Sequence, residues 1–284
     1  MWTTAGGFAS NADEGAFARE VEALGYGALW FSETAASKEA FVHAALLLAA
    51  TQRLPVASGV ANIYGRDPLA AKQAGTTLAE AYPGRFVLGL GVAHAPTVTD
   101  RGHDYGKPLS TMRAHLDGMD AAQLGFPEPS EPLPIVLAAL RPKMLELAAR
   151  RGHGAHPYFT PPERTERARA ILGPQPWLAP EQMVVLETDA ARARAIAREA
   201  MARPLSLTNY RNNLHDLGFG PDELENGGSD RLVDAIVAWG DADAIAARVQ
   251  AHLDAGADHV CLQPLPAALD QQAAQLRELA RVLL

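Results

Sequence analysis

The residues with most chemical potential lie between Leu54 and His94 of this 284-residue chain. An apolar run at 55–60 leads into Gly59-Val60-Ala61-Asn62-Ile63-Tyr64-Gly65-Arg66-Asp67-Pro68, and a second at 86–90 ends in Gly89-Leu90-Gly91-Val92-Ala93-His94. A glycine where a buried strand ends marks a bulge or the close approach of a ligand, because the missing Cβ leaves room for a planar ring. The same glycines could also do no more than relieve crowding. His94 is the first choice as proton donor or acceptor, since imidazole titrates near neutrality and serves either direction. Glu33, after an apolar run at 28–32, would orient that histidine or polarise a substrate; a solvated loop carboxylate is its other reading. Asp67 before Pro68 is a helix cap. His153 and His156 make half a metal site with no carboxylate or cysteine beside them, so no metal is expected. Cys261 is the only cysteine; it sits in an apolar strand pattern and reads as a buried thiol, not a nucleophile.

Composition sets bounds on these readings. With 48% hydrophobic and 20% charged residues the chain can bury a large core. A net charge of −8 with dispersed Lys and Arg argues against a nucleic-acid partner. The longest apolar run, 44–50, falls far short of the ~20 residues that span a bilayer, and Met1-Trp2-Thr3-Thr4 has no signal-peptide character, so a cytoplasmic location and no membrane are expected.

The elements that must position the candidates alternate along the chain. Strand-like runs fall at 2–4, 28–32, 55–60, 86–90, 135–138, 154–157, 183–187 and 259–263, and helical patterns at 11–24, 39–51, 68–81, 109–124, 142–151, 161–172, 190–201 and 267–284. Eight such pairs fit an α/β fold of the (β/α)8 TIM barrel kind better than an open doubly wound sheet, and no G-x-G-x-x-G opens the chain. Gly25 and Gly152 are placed to close helices in the left-handed conformation. Extra helices around 209–214 and 229–237 imply a late insertion, about 203–240, in a single domain spanning 1–284. In a barrel the chemistry belongs at the C-terminal ends of the strands. Those ends carry Thr3, Thr4, Glu33, Gly59 to Asn62, Val92 to His94, Ala139 to Lys143, His156 and Tyr158, a mostly apolar and aromatic lining that suits a flat redox ring.

These residues carry a family resemblance. The stretches Leu24-Gly25-Tyr26-Gly27-Ala28-Leu29-Trp30-Phe31-Ser32-Glu33, Gly59-Val60-Ala61-Asn62-Ile63-Tyr64 with Arg66-Asp67-Pro68, and Tyr82-Pro83-Gly84-Arg85-Phe86-Val87-Leu88-Gly89-Leu90-Gly91 resemble the luciferase-like monooxygenase superfamily. More narrowly they resemble the actinobacterial probable coenzyme F420-dependent oxidoreductases. The likeness continues through Ala138 to Ala148 and from Gly240 to Val260. It implies a TIM barrel of the bacterial luciferase-like type, a flavin or deazaflavin cofactor and a homodimer.

The resemblance also implies roles. Gly59-Val60 matches a non-proline cis peptide behind the cofactor ring; Ala61 continues that bulge, Asn62 matches a contact to the ring edge, and Val92 lies where the fourth strand meets the ring. His94 falls near the reacting carbon, and Glu33 matches an acidic residue after the second strand. Ala139-Leu140-Arg141-Pro142-Lys143 corresponds to the loop that holds the cofactor phosphate, where helix-start N–H groups form an anion site. Two departures stand out. Thr34 occupies the place of a histidine frequent in the family, and Arg141 that of a frequent glycine. The reading is a hydride-transferring oxidoreductase using coenzyme F420, with Phe8, Tyr64 and Tyr158 as walls of the pocket for a small-molecule substrate. The alternatives are an FMN-dependent monooxygenase and a non-catalytic ligand-binding barrel.

Overall fold

Parallel strands buried on both faces need no polar alternation, and the short apolar runs of this chain form such strands. The computed structural model describes residues 1–284. Its strands are β1 (Trp2–Thr3), β2 (Leu29–Phe31), β3 (Val56–Ser58), β4 (Ala61–Asn62), β5 (Phe86–Gly91), β6 (Ile135–Leu137), β7 (Gly154–Ala155), β8 (Trp177–Leu178), β9 (Glu181–Leu186), β10 (Val237–Gly240) and β11 (Cys261–Pro264). The helices between them are α1 (Asn11–Ala23), α2 (Ala40–Ala50), α3 (Pro68–Ala81), α4 (Ala95–Asp100), α5 (Pro108–Ala121), α6 (Pro142–Arg151), α7 (Pro162–Leu172), α8 (Ala190–Leu205), α9 (Thr208–Asp216), α10 (Asp230–Ile236), α11 (Ala242–Asp254) and α12 (Leu269–Leu283). None of them is long and apolar enough to cross a membrane.

One sheet has the order β1-β2-β3-β5-β6-β7-β8, with β4 on β5, and a second has the order β10-β9-β11; the pairs are parallel. Strand β8 runs into β9 through Ala179-Pro180, and β1 lies against β11, so the two sheets close on each other as a barrel. Pro180 has no N–H to give the ladder. Pairing crosses that gap through Glu181 N–H to the Pro157 carbonyl at 2.9 Å and Cys261 N–H to the Pro180 carbonyl at 2.8 Å.

Three apolar layers result. Trp2, Trp30, Ala57, Val136, Ala179 and Cys261 fill the lumen. Phe31, Leu48, Phe86, Leu88, Leu145 and Leu276 belong to the core between strands and outer helices. Removing a buried ring such as Phe86 would cost ~3–5 kcal/mol. A separate cluster with Phe159, Met183, Met201, Leu214, Phe219 and Leu232 lies under the late helices α8 to α10.

Helix starts follow side-chain capping. Asp67 Oδ1 accepts from Ala70 N–H at 2.8 Å with Pro68 in the first turn, and Glu39 accepts the Phe41 and Val42 N–H groups to start α2. Gly25 closes α1 with φ +91°, as expected. Gly152 does not take the left-handed conformation: it is extended at φ −119°, because the chain leaves α6 directly into β7. Four elements fall outside the expected pattern: the two-residue strands β4 and β8, the short helix α4, and the strand β10, whose first residue ends the helical pattern at 229–237.

Candidate active site

The glycines at the strand ends serve the chain itself. A Cβ on Gly59 would stand 2.7 Å from Trp2 Nε1 and 3.1 Å from His156 Nε2, so this glycine lets two lumen side chains come up under the backbone. A Cβ on Gly89 would collide with the Ser58 carbonyl, and one on Gly91 with the Val60 side chain. The room expected for a ligand ring is therefore filled by the segment 58–60 lying on β5. Ser58 fastens it there: its hydroxyl donates to the Gly89 carbonyl and accepts from Gly89 N–H, both at 2.9 Å. The Gly59-Val60 peptide bond is cis, as the resemblance implied. Val60 and Val92 are half-buried and give the mouth an apolar floor, while Ala61 and Ala139 are buried beneath it. Asn62 Oδ1 accepts the Tyr64 N–H at 2.9 Å, which leaves the donor end of its amide for a ligand.

Glu33 does not orient His94. Its carboxylate accepts Asn62 N–H at 2.7 Å and Ala40 N–H at 3.1 Å, and it forms a two-pronged pair with Arg66, whose Nη1 lies 3.0 Å from Oε2. Arg66 also donates to the Asn62 carbonyl at 3.0 Å. The pair thus anchors β4 from behind. It is a positioning device, and neither a free loop carboxylate nor the partner of a catalytic histidine.

His94 is half-buried at the start of α4. Its ring lies 5.4 Å from that of Tyr210, with Asn209 beside it, and burial lowers its basicity so that the neutral imidazole is favoured. Tyr210 in turn lies 5.8 Å from Tyr158, which lies 5.1 Å from Trp2. His94, Tyr210 and Tyr158 therefore form one aromatic row across the mouth. Ala93 and Phe159, adjacent to two members of that row, are non-glycine residues at φ +51° and +62°. Such conformations cost of order 1–3 kcal/mol each and concentrate where a site needs a fixed geometry.

The remaining candidates separate. Tyr64 donates its hydroxyl to the Tyr105 carbonyl, and Tyr105 donates to the Ala93 carbonyl at 3.2 Å, so Tyr64 braces the loop that carries His94. Phe8 is 61% exposed and lines a groove of about 800 Å³ between α1 and α12 with Phe17, Leu269 and Arg277. No cofactor candidate borders that groove, and Phe8 is not brought to Tyr158. Arg141, Pro142 and Lys143 are exposed at the start of α6, behind Leu140. Arg141 Nε already faces Asp216 Oδ2 at 3.4 Å, an exposed pair worth little in itself. His153 Nδ1 accepts Ile135 N–H, while His156 Nδ1 donates to the Ala179 carbonyl at 2.7 Å. Burial pushes the Cys261 thiol up, which suits a structural role.

Sequence reasoning missed Tyr210, Asn209 and Glu181, whose carboxylate accepts Phe159 N–H. The first two come from the late insertion, whose aromatic and amide residues at 209–213 were the available signal. Glu181 could have been found as a carboxylate on the inward period of a barrel strand.

The site fits a flat redox cofactor: an apolar floor at Val60 and Val92, an amide at Asn62, and a helix start with Arg141 and Lys143 for an anionic tail. The comparisons with known proteins agree with the fold. Structures of similar shape include an F420-dependent secondary alcohol dehydrogenase in complex with an F420-acetone adduct, with a TM-score of 0.77 at 15% identity over 97% of this chain and 96% of that one. A type II Baeyer-Villiger monooxygenase from Pseudomonas putida, in complex with FMN, gives 0.69 at 15% identity over 97% and 93%. In sequence, a 5,10-methylenetetrahydromethanopterin reductase from Archaeoglobus fulgidus is 29% identical over 156 residues, 49% of this chain and 46% of that protein, so the match spans about half of the relative. The family model for luciferase-like monooxygenases matches residues 2–259, and the chain belongs to that family.

Proposed function

We propose that the chain is a two-electron oxidoreductase that exchanges hydride between coenzyme F420 and a small organic substrate at the barrel mouth. The observation that carries this reading is the aromatic row of His94, Tyr210 and Tyr158, which starts two residues from Val92 and ends on Trp2 under the Gly59-Val60 segment. A bound deazaflavin would supply the carbon that gives or takes hydride. The chain supplies the rest. Asn62 offers its amide to the ring edge, residues 139–143 offer the helix start and two cations to the phosphate, and the aromatic row excludes water. His94, neutral through burial, accepts the proton of an alcohol or returns one to a carbonyl. Glu33 is engaged by Arg66 and two backbone N–H groups and does not reach His94, and Thr34 cannot substitute for it as a base.

Structural neighbours named for F420 support the cofactor assignment; the FMN-bound neighbour supports the second reading, a flavin monooxygenase. Titration with F420 and FMN, followed by tryptophan fluorescence, separates them because Trp2 lies in contact with Tyr158 below the mouth. Selective quenching by F420, followed by F420 reduction with secondary alcohols, is the expected outcome. Binding of FMN alone would move the function to oxygen chemistry, and binding of neither would leave a non-catalytic barrel. A homodimer in the cytoplasm belongs to the same reading, and light scattering tests the first part.

A further inference from the structure

Glu181 begins β9 with its side chain turned into the barrel, and it is 1% exposed. Its Oε2 accepts Phe159 N–H at 3.1 Å, and its Oε1 has no partner. No cation pairs with it. The titratable groups nearest it in the fold are Tyr158, which precedes the Phe159 whose N–H it accepts, Tyr210 of α9, whose ring lies 5.8 Å from that of Tyr158, and Cys261, its register partner on β11.

Three further polar atoms on the same wall are buried without partners: Gln263 Oε1, His156 Nε2 and Trp2 Nε1. Gln263 and Glu181 both point inward from adjacent strands. His156 gives its Nδ1 hydrogen to the Ala179 carbonyl, which makes Nε2 an acceptor, whereas Trp2 Nε1 is a donor. Folded proteins pair nearly all buried polar groups, so four unpaired ones on one stretch of wall require a polar occupant such as water or a substrate oxygen. Burial also pushes the Glu181 carboxyl up to about 8, which leaves it protonated at neutral pH. It raises the Tyr158 hydroxyl as well.

We propose that Glu181 is a proton store for this site, exchanging its proton through the Tyr158 hydroxyl with the oxygen of a carbonyl or alcohol substrate. This rests on the reading that hydride is exchanged at the mouth. In the reducing direction a bound reduced deazaflavin would supply the hydride for the new C–H bond, and the C=O π pair would move onto oxygen. That oxygen takes the Tyr158 proton, and Glu181 reprotonates Tyr158, ending as a carboxylate that is reloaded from water. Oxidation runs the same steps backwards. Tyr158 is the group that touches substrate, and Glu181 acts through it. The mouth then holds two proton sites, His94 at the rim and Glu181 on the wall.

Glu181→Gln keeps the shape of the protonated acid and removes its titration, and Tyr158→Phe removes the relay. In ligand-free protein at pH 6, infrared spectroscopy should show the C=O band of a protonated buried carboxyl that is lost in Glu181→Gln. With F420 and a reactive alcohol, both variants should lower turnover ~10–100-fold while cofactor affinity stays within a few fold, and Glu181→Gln should remove one ionisation from the pH profile. Absence of the carboxyl band, or an unchanged pH profile and turnover in Glu181→Gln, overturns the proton-store role alone. Failure of the wild-type protein to bind either F420 or FMN overturns the redox reading and this role with it, even where the band is present.

Discussion

Removing the Glu33 carboxylate should destabilise the protein far more than removing a surface charge. The Glu33 and Arg66 side chains are only 7% and 10% exposed, and the carboxylate takes two guanidinium donors and two backbone N–H groups. Breaking such a pair from one side leaves a buried cation behind and costs ~3–5 kcal/mol. Arg66 keeps Glu39, but that side chain is 46% exposed and offsets little of the loss. For a domain of this size the cost corresponds to a fall in Tm of roughly 5 to 8 °C. Urea unfolding of Glu33→Ala, Arg66→Met and the Glu33→Leu/Arg66→Met double variant measures it. The double variant should cost less than the two single changes summed, by ~2 kcal/mol or more, because neither partner is stranded. Glu33→Ala should also weaken cofactor binding, since Asn62 loses its backbone anchor. A loss below ~1 kcal/mol with a selective fall in kcat would return Glu33 to a catalytic role and refute the anchoring argument.

Other outcomes follow from the same geometry. Arg141→Glu should weaken F420 binding more than about tenfold by placing repulsion at the helix start, and Asp216→Asn should tighten it by freeing Arg141; calorimetry that shows neither effect puts the phosphate elsewhere. Glu181 holds a proton in the folded state up to about pH 8, whereas its ordinary value is 4.5. The wild type should therefore lose stability relative to Glu181→Gln as pH rises from 5 to 8, with a limiting slope of about 1.4 kcal/mol per pH unit, and parallel unfolding midpoints across that window would contradict it. His94→Ala should leave cofactor affinity within a few fold and lower turnover ~100-fold; a loss of binding instead would place His94 in the cradle.

The barrel was legible because its strands are continuous apolar runs and its helices carry local start signals, as at Asp67-Pro68. Where a local signal was missing, tertiary context decided. Val237-Ala238-Trp239-Gly240 follows Leu232-Val233-Ile236 without a turn residue, so a strand looked like the end of a helix. Gly152 looked like a left-handed cap, yet the His153 N–H must reach the Ile135 carbonyl at 2.6 Å, and that draws the chain out extended. The short helix at Ala95–Asp100 has β-branched residues and a proline in six positions, too few to show a period.

The site was legible where it depends on backbone and obscure where it depends on long-range partners. Gly59 and Gly89 stand out as glycines at strand ends, but the atoms that need their missing Cβ groups, Trp2 Nε1 and the Ser58 carbonyl, are known only once the barrel closes. Glu33 meets Arg66 across a separation of 33 residues, and His94 meets Tyr210 across more than a hundred; no spacing rule connects either pair. What closure adds is a common electrostatic effect. Burial drives each titratable group at the mouth toward its neutral form: His94 and His156 lose basicity, while Glu181, Tyr158 and Tyr210 hold their protons. Fixed charges lie behind β4, on Glu33 with Arg66, and at the margin, on Arg141 with Asp216. A neutral interior with exchangeable protons suits hydride transfer, in which the carbon gains two electrons while the oxygen must gain a proton. In a low-dielectric pocket an uncompensated alkoxide is costly. The same burial that makes Glu181 an expensive carboxylate makes it a ready donor, so its placement on the wall beside Tyr158 has a chemical use that a folded core alone does not require.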